Sequence, residues 1–260
     1  MKTLGRSVGR KDIGGEPMLP VFRAFENNQV VFRRSEVSVI AAQPGAGKST
    51  LALALALRMR EPTLYISADT NAHTMAMRLY SMIEGVSQRE AEQVIGENPD
   101  IARQALTRAK HIYWSFDSNP GLGDITDEVS AIEELLGEPP ALIIVDNLMD
   151  VYNGGGDGHV GMQSVIQELK YIARKNNSAV IVLHHTKESY GADPCPSRDA
   201  IQGMVNQTPA LILTLGQHQG LMAVASVKNR YGKADPSGNT PVWLQFNPEY
   251  MYIADLEEAR

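Results

Sequence analysis

The sequence contains a single cysteine, Cys195, in 260 residues. One thiol cannot form an internal disulfide or a cysteine-rich zinc module, and it fits a reduced, intracellular setting. Long apolar runs are missing as well. Stretches such as Leu51 to Leu57 fall far short of the ~20 residues that span a bilayer. The basic residues Lys2, Arg6, Arg10 and Lys11 are followed by no apolar segment, which argues against a secretory signal. These absences point to a cytoplasmic protein with no membrane partner. An excess of positive charge is lacking too: 24 Lys and Arg stand against 30 Asp and Glu, a formal charge of -6. That excludes a wholly basic nucleic-acid coat protein, though not a basic patch on an acidic body. The charge is uneven: residues 1–40 carry 7 basic and 4 acidic residues, so the remainder sums to -9.

With 43% hydrophobic and 21% charged residues, the composition is that of a globular protein, and the length suits one large domain or two small ones. Residues 1–20, rich in glycine and basic side chains, read as a flexible basic arm, and 21–260 as one domain. From Glu36 strands and helices alternate. Strands are expected at 37–42, 63–67, 111–116, 141–145 and 179–183. Helices are expected at 48–59, along the face Met75, Leu79 and Met82, as two short polar helices within 87–110, and at 125–136 and 161–174. Strands at 210–215, 221–227, 241–246 and 251–254 follow. Alternation and then a strand-rich end predict an α/β fold: a mainly parallel central sheet flanked by helices, with C-terminal antiparallel strands.

The first chemistry lies in Gln43-Pro44-Gly45-Ala46-Gly47-Lys48-Ser49-Thr50, between a strand and a helix. Its glycines let backbone N–H groups turn toward phosphate oxygens, and the helix N-terminus faces the same anion. Lys48 is expected to reach the β- and γ-phosphates of ATP, and Ser49 to ligate Mg²⁺. The strict P-loop pattern has glycine where Ala42 stands. Asp146, at the end of the apolar run Leu142 to Val145, is the second candidate for holding Mg²⁺. Asp69, just past the second strand, is the candidate for orienting the attacking water. Asp-Thr-Asn at that point equally suits a helix N-cap.

These blocks, in this order, resemble the RecA-like ATPase core of the DnaB-type replicative hexameric helicases, particularly phage-encoded relatives. The segment from Ala41 to Ser49 looks like the Walker A motif of that family, in which an alanine at the position of Ala42 is common, and Leu142 to Asp146 looks like Walker B. Asp69 stands where the family has glutamate. In Leu183-His184-His185-Thr186 the resemblance makes His185 the γ-phosphate sensor, a position where the family usually has glutamine. Lys228-Asn229-Arg230-Tyr231-Gly232 is similar to the Lys-Asn-Arg-x-Gly segment of the family. The resemblance implies that Lys228 and Arg230 enter the ATP site of a neighbouring subunit in a hexameric ring. It also directs the loop from Lys187 to Gly203 toward DNA, with Lys187, Arg198, Gln202 and Gly203 as contacts, and a second loop near 154–159. Covering about residues 20–256, it leaves out the N-terminal, primase-contacting domain of the family.

The function expected is an ATP-dependent, Mg²⁺-dependent helicase or translocase on single-stranded or forked DNA in replication. A RecA-like recombination or repair ATPase is the alternative. Two further readings are a fork-specific nuclease with a second metal among Asp146, Asp150, Asp157 and His159, and a slow nucleotide-dependent loader.

Overall fold

The computed structural model describes residues 14–152, 158–187, 194–203, 205 and 207–256, with only the backbone of 158–160. Its elements run α1 (Arg23–Asn27), β1 (Val37–Ala42), α2 (Lys48–Met59), β2 (Thr63–Ser67), α3 (Ala72–Glu84), α4 (Gln88–Glu97), α5 (Pro99–Leu106), β3 (Ile112–Ser115), α6 (Leu122–Leu136), β4 (Leu142–Asp146), α7 (Gly158–Asn176), β5 (Ala179–His185), β6 (Leu211–His218), β7 (Leu221–Asn229), β8 (Val242–Asn247) and β9 (Tyr252–Asp255). The strands form one nine-stranded sheet ordered β3-β2-β4-β5-β1-β6-β7-β8-β9.

Strands β1, β2, β4 and β5 are buried along nearly their whole length because helices cover both faces of the sheet. Ile40 and Ala42 of β1 pack toward one core with α2, α3 and the apolar side of β8 and β9. Val37, Val39 and Ala41 pack toward the other, with Ile125, Val129 and Ile132 of α6 and Val165, Ile166 and Leu169 of α7. Helix α2 is apolar nearly all round and is buried from Leu51 to Ala56, as such a helix must be. The short polar α4 begins with a reciprocal capping box between Ser87 and Glu90.

The expected fold class holds, with two adjustments. Strand β6 pairs parallel to β1, so the antiparallel extension begins only at β7. Helix α7 starts at Gly158, three residues before the expected Gly161. The described end of the predicted arm, residues 14–20, is packed. Gly15 N–H donates to Arg34 O at 2.8 Å, Met18 N–H to Phe32 O at 2.8 Å, and Met18 joins the core beside Phe22, Phe25 and Phe32. The core contact of Met18 and its strand-like pairing with Phe32 outweigh the glycines at 14 and 15. Residues 1–13 lie outside the described residues.

The parallel strands all point their C-terminal ends one way. In open α/β sheets the crevice outside those ends takes the ligand, and β1, β2, β4 and β5 deliver their last residues there.

Candidate active site

Strand β1 ends at Ala42 and the chain turns through residues 43–47 into α2. Gly45 and Gly47 have φ of 78° and 92°. At Gly47 a Cβ would also meet Met222 Cε at 2.5 Å and Phe246 Cζ at 2.8 Å, so only glycine fits the turn. The loop opens into a cavity of about 310 Å³. Pro44, Gly45, Gly47, Lys48, Ser49 and Thr50 line it from the loop and Asp69, Asp146 and His185 from three strand ends. Lys48 Nζ donates to the carbonyls of Ala42 at 3.1 Å and Gln43 at 3.2 Å. Burial lowers its proton affinity, while Asp146 and Asp69 oppose that. The ammonium is thus held on two neutral acceptors, which an anion can replace.

Asp146 is 3% exposed at the end of β4. Tyr65 donates its hydroxyl to Asp146 Oδ2 at 3.0 Å, and the nearby Ser49 hydroxyl also favours the carboxylate. Burial raises its pKa; the two hydroxyls and Lys48 pull the other way, and Asp69 adds to the rise. The same burial and the Asp146 charge hold the Tyr65 phenol well above its ordinary range. A serine hydroxyl and a buried carboxylate lining the same cavity form a hard-oxygen donor set. It suits Mg²⁺, which keeps waters and takes few protein ligands.

Asp69 is exposed on the cavity rim, and its Oδ1 accepts from Thr70 Oγ1 at 2.8 Å. Ala68 N–H donates to Asp146 O at 2.9 Å, which ties the two strand ends together. His185 ends β5 opposite Ala42. Its pKa is lowered by burial and by Lys48, against Asp150 and Asp69. His184 points elsewhere: fully buried, it donates Nε2–H to Gln202 O at 2.8 Å.

The structure adds residues that the motifs did not announce. Arg78 of α3, Gln88 of α4, and Phe246, Pro248 and Met251 from the β8–β9 end complete the cavity wall. Arg78 Nη1 meets the Met75 sulfur at 4.0 Å. The available signal was an arginine three residues from Met75, beside the apolar face of the helix that follows β2.

Lys228 and Arg230 do not come near this cavity. Arg230 N–H donates to Ala210 O at 2.8 Å, and Ala210 N–H to Val37 O, level with the start of β1. Its Nη1 donates to Glu36 at 3.3 and 3.4 Å. Glu36 and Gln43 bracket the six residues of β1, a span of roughly 20 Å at ~3.3 Å per residue. Lys228 Nζ donates to Gln207 O at 2.6 Å, and burial lowers its pKa, helped by Arg230 and Arg198.

The expected DNA loop is only partly gathered. Lys187 N–H donates to Ala200 O at 2.7 Å, Gln202 N–H to His185 O at 3.2 Å, and Gln202 Nε2 to Thr186 O at 3.2 Å. Lys187, Gln202 and Gly203 therefore sit together at the end of β5. Arg198 opens the turn that ends at Ala200, and its N–H donates to Pro236 O at 2.9 Å. Residues 188–193 lie outside the described residues, as do Asp157 and the His159 side chain of the nuclease reading. Among the described residues no group of three or more His, Cys, Asp or Glu gathers for a metal. Nor is any described helix long and apolar enough to cross a membrane.

A family model described as an AAA domain matches residues 29–189. The Gene 65 protein of Mycobacterium phage L5 is 33% identical, over 98% of this chain and 99% of that one. Among solved structures, an isolated ATPase domain superposes with a TM-score of 0.81 at 17% identity, covering 97% of this chain and 95% of that one. A DnaB-like replicative helicase, described with its interactions with primase, gives 0.81 at 17% identity over 97% of this chain and 66% of its own. At that identity the likeness is one of fold, and the fold is the RecA-like one of DnaB-type ATPase domains.

Proposed function

The chain belongs to the AAA-domain family, and we propose that it is an ATP-driven, Mg²⁺-dependent motor on single-stranded or forked DNA, working as a hexameric ring in replication. One observation carries this reading. The groups suited to phosphoryl transfer occupy opposite ends of one sheet, with Lys48, Asp69 and Asp146 beyond the C-terminal ends of β1, β2 and β4 and Arg230 beside the start of β1. A finger roughly 20 Å from its own P-loop can act only on the nucleotide of another copy.

Within one subunit, the amides of the Gln43–Thr50 loop and the α2 N-terminus bind the phosphates. Lys48 exchanges its two carbonyl partners for phosphate oxygens. Ser49 and Asp146 would hold Mg²⁺, which neutralises charge on the β- and γ-phosphates when bound. Asp69 orients water, and Arg78 supplies a second cation from the same chain. Lys228 and Arg230 of the adjoining subunit stabilise charge on the transferring group. His185 faces the phosphate end of the cavity, while its carbonyl accepts from Gln202. A change at the γ-phosphate thus passes directly to the segment carrying Lys187, Gln202 and Gly203, which with Arg198 contacts DNA.

The test is ATP turnover with and without single-stranded and forked DNA, at measured oligomeric state, alongside strand separation. The expected result is hydrolysis stimulated by DNA and unwinding of forks by a hexamer. Turnover indifferent to DNA would remove the motor. Stimulation without strand separation would move the chain to the recombination or repair ATPases.

A further inference from the structure

The finger is not loose. Arg230 and Tyr231 follow β7 and are stitched to the segment that leads into β1. Asn229 Nδ2 donates to Gln29 O at 2.9 Å, and Tyr231 N–H donates to Asn229 Oδ1 at 3.0 Å. Between them lies Glu36, the last residue before β1 and only 8% exposed. Its Oε1 accepts from the Tyr231 hydroxyl at 2.9 Å and from Arg230 Nη1 at 3.3 Å, and its Oε2 lies 3.4 Å from the same Nη1. The Arg33 guanidinium covers the other side of Tyr231, 4.4 Å from the ring centre.

We propose that Glu36 is the positioning residue of Arg230, holding its guanidinium at the N-terminal end of β1 in the orientation that a neighbouring subunit's nucleotide requires. This rests on the reading that Arg230 acts across a subunit interface. Three observations separate guiding from sequestering. The Arg230 side chain remains 40% exposed. Its contacts with Glu36 are longer than the ~2.7–2.9 Å of a tight charge-assisted bond. Only Nη1 meets the carboxylate, leaving other N–H donors of the fork for phosphate oxygens. Charge makes the carboxylate necessary. Lys170 of α7 lies within electrostatic reach of Glu36, Arg174 and Arg230. Without Glu36 the guanidinium would face those cations with no counter-charge and swing outward. The Tyr231 hydroxyl fixes the carboxylate and also interacts with Arg230 itself, so Glu36 and Tyr231 order the guanidinium together. An arginine held in advance loses less freedom when it meets the phosphate, and that gain appears in the chemical step.

The experiment compares Glu36→Gln, Tyr231→Phe, Arg230→Ala and Glu36→Gln combined with Arg230→Ala by DNA-stimulated ATP turnover and thermal unfolding. Glu36→Gln is expected to lower kcat about five- to tenfold at unchanged KM for ATP, and Tyr231→Phe less in the same direction. In the Arg230→Ala background Glu36→Gln should add nothing, because it acts only through that side chain. A purely structural glutamate would instead lower Tm and multiply its effect with that of Arg230→Ala, which overturns the proposal. So does unchanged or increased kcat in Glu36→Gln where Arg230→Ala has lost most of its turnover. If Glu36→Gln fails to fold, Tyr231→Phe, at a half-exposed position, decides the matter by the same kcat and KM comparison. Normal turnover in Arg230→Ala is a distinct outcome: it removes the trans finger itself, and the positioning role with it.

Discussion

Asp146 is pulled two ways: burial favours its protonated form, while Ser49, Tyr65 and Lys48 favour the carboxylate, and burial is the larger influence. The sign for stability follows. Its folded pKa is raised above the unfolded value, so as pH rises the unfolded chain releases this proton first. Stability falls with rising pH through that window and stays reduced above it. Asp146→Asn should therefore raise the Tm of the nucleotide-free protein by about 2–4 °C, the shift that roughly 1 kcal/mol gives in a chain of this size. Turnover should fall at least ~100-fold, because the anchor for Mg²⁺ is lost. Calorimetry and an ATPase assay on one preparation check both signs; a lower Tm would show that the hydroxyl bonds outweigh burial. Arg78→Ala should lower kcat/KM about 10- to 100-fold with little change in Tm, the loss expected for one cation on a phosphate. The two carboxylates and Lys48 were legible in the sequence because each follows a strand pattern directly. Arg78 was not, since a helical arginine looks solvated until the fold turns it over the P-loop. Tyr65 likewise read only as a strand residue.

At the scale of elements, continuous apolar runs made the parallel strands legible, and glycine with proline marked the turns. What pattern could not convey is how segments without periodicity dock. The loop after β5 looked like an open stretch from Lys187 to Gly203. Its return limb instead lies on the sheet, where Pro194 O accepts from His218 Nε2 at 2.8 Å and buried Cys195 hydrogen-bonds backbone of β6 and β7. Gly216 of β6 makes this possible, for a Cβ there would stand 1.9 Å from Pro194 O. Backbone cannot yield as a flexible side chain does. Gly216→Ala should lift the limb and loosen the Gln202 link to His184 and His185. The expected result is DNA stimulation of turnover reduced about tenfold, with DNA-independent turnover within about twofold of the parent. Oligonucleotide titration of the ATPase measures this, and equal loss in both would mean that the limb supports the P-loop itself. The packing of residues 14–20, the described end of the predicted arm, escaped pattern for a related reason: Met18 has only Leu19 as an apolar neighbour between two prolines, too few to form a pattern, yet its core contact and the backbone bonds to Phe32 and Arg34 hold this segment on the domain.

For the whole molecule, the sheet sets the logic of the proposed motor: one end would hold a phosphate, the other would offer a guanidinium, and neither would complete a site alone. A contact of that kind joins two different surfaces, so repeating it builds a closed ring or an open filament rather than an isologous dimer. The body charge of -9 over residues 41–260 then poses less difficulty for a DNA partner. A weak basic contact repeated around a ring supplies what one subunit lacks. The geometry also predicts complementation. Lys48→Ala removes the phosphate ligand but keeps a sound finger; Arg230→Ala keeps the phosphate ligand and loses the finger. Each protein alone should show only residual turnover. When the two are mixed in equal amounts and allowed to exchange subunits, an interface that joins the Arg230→Ala P-loop to the Lys48→Ala finger is intact. Random assembly places about one quarter of interfaces in that arrangement, so turnover should return to about that fraction of the parent if sites fire independently. ATPase of the mixture against each parent reads it directly. A finger acting within its own chain would leave every site defective, and the mixture would stay as inactive as its components.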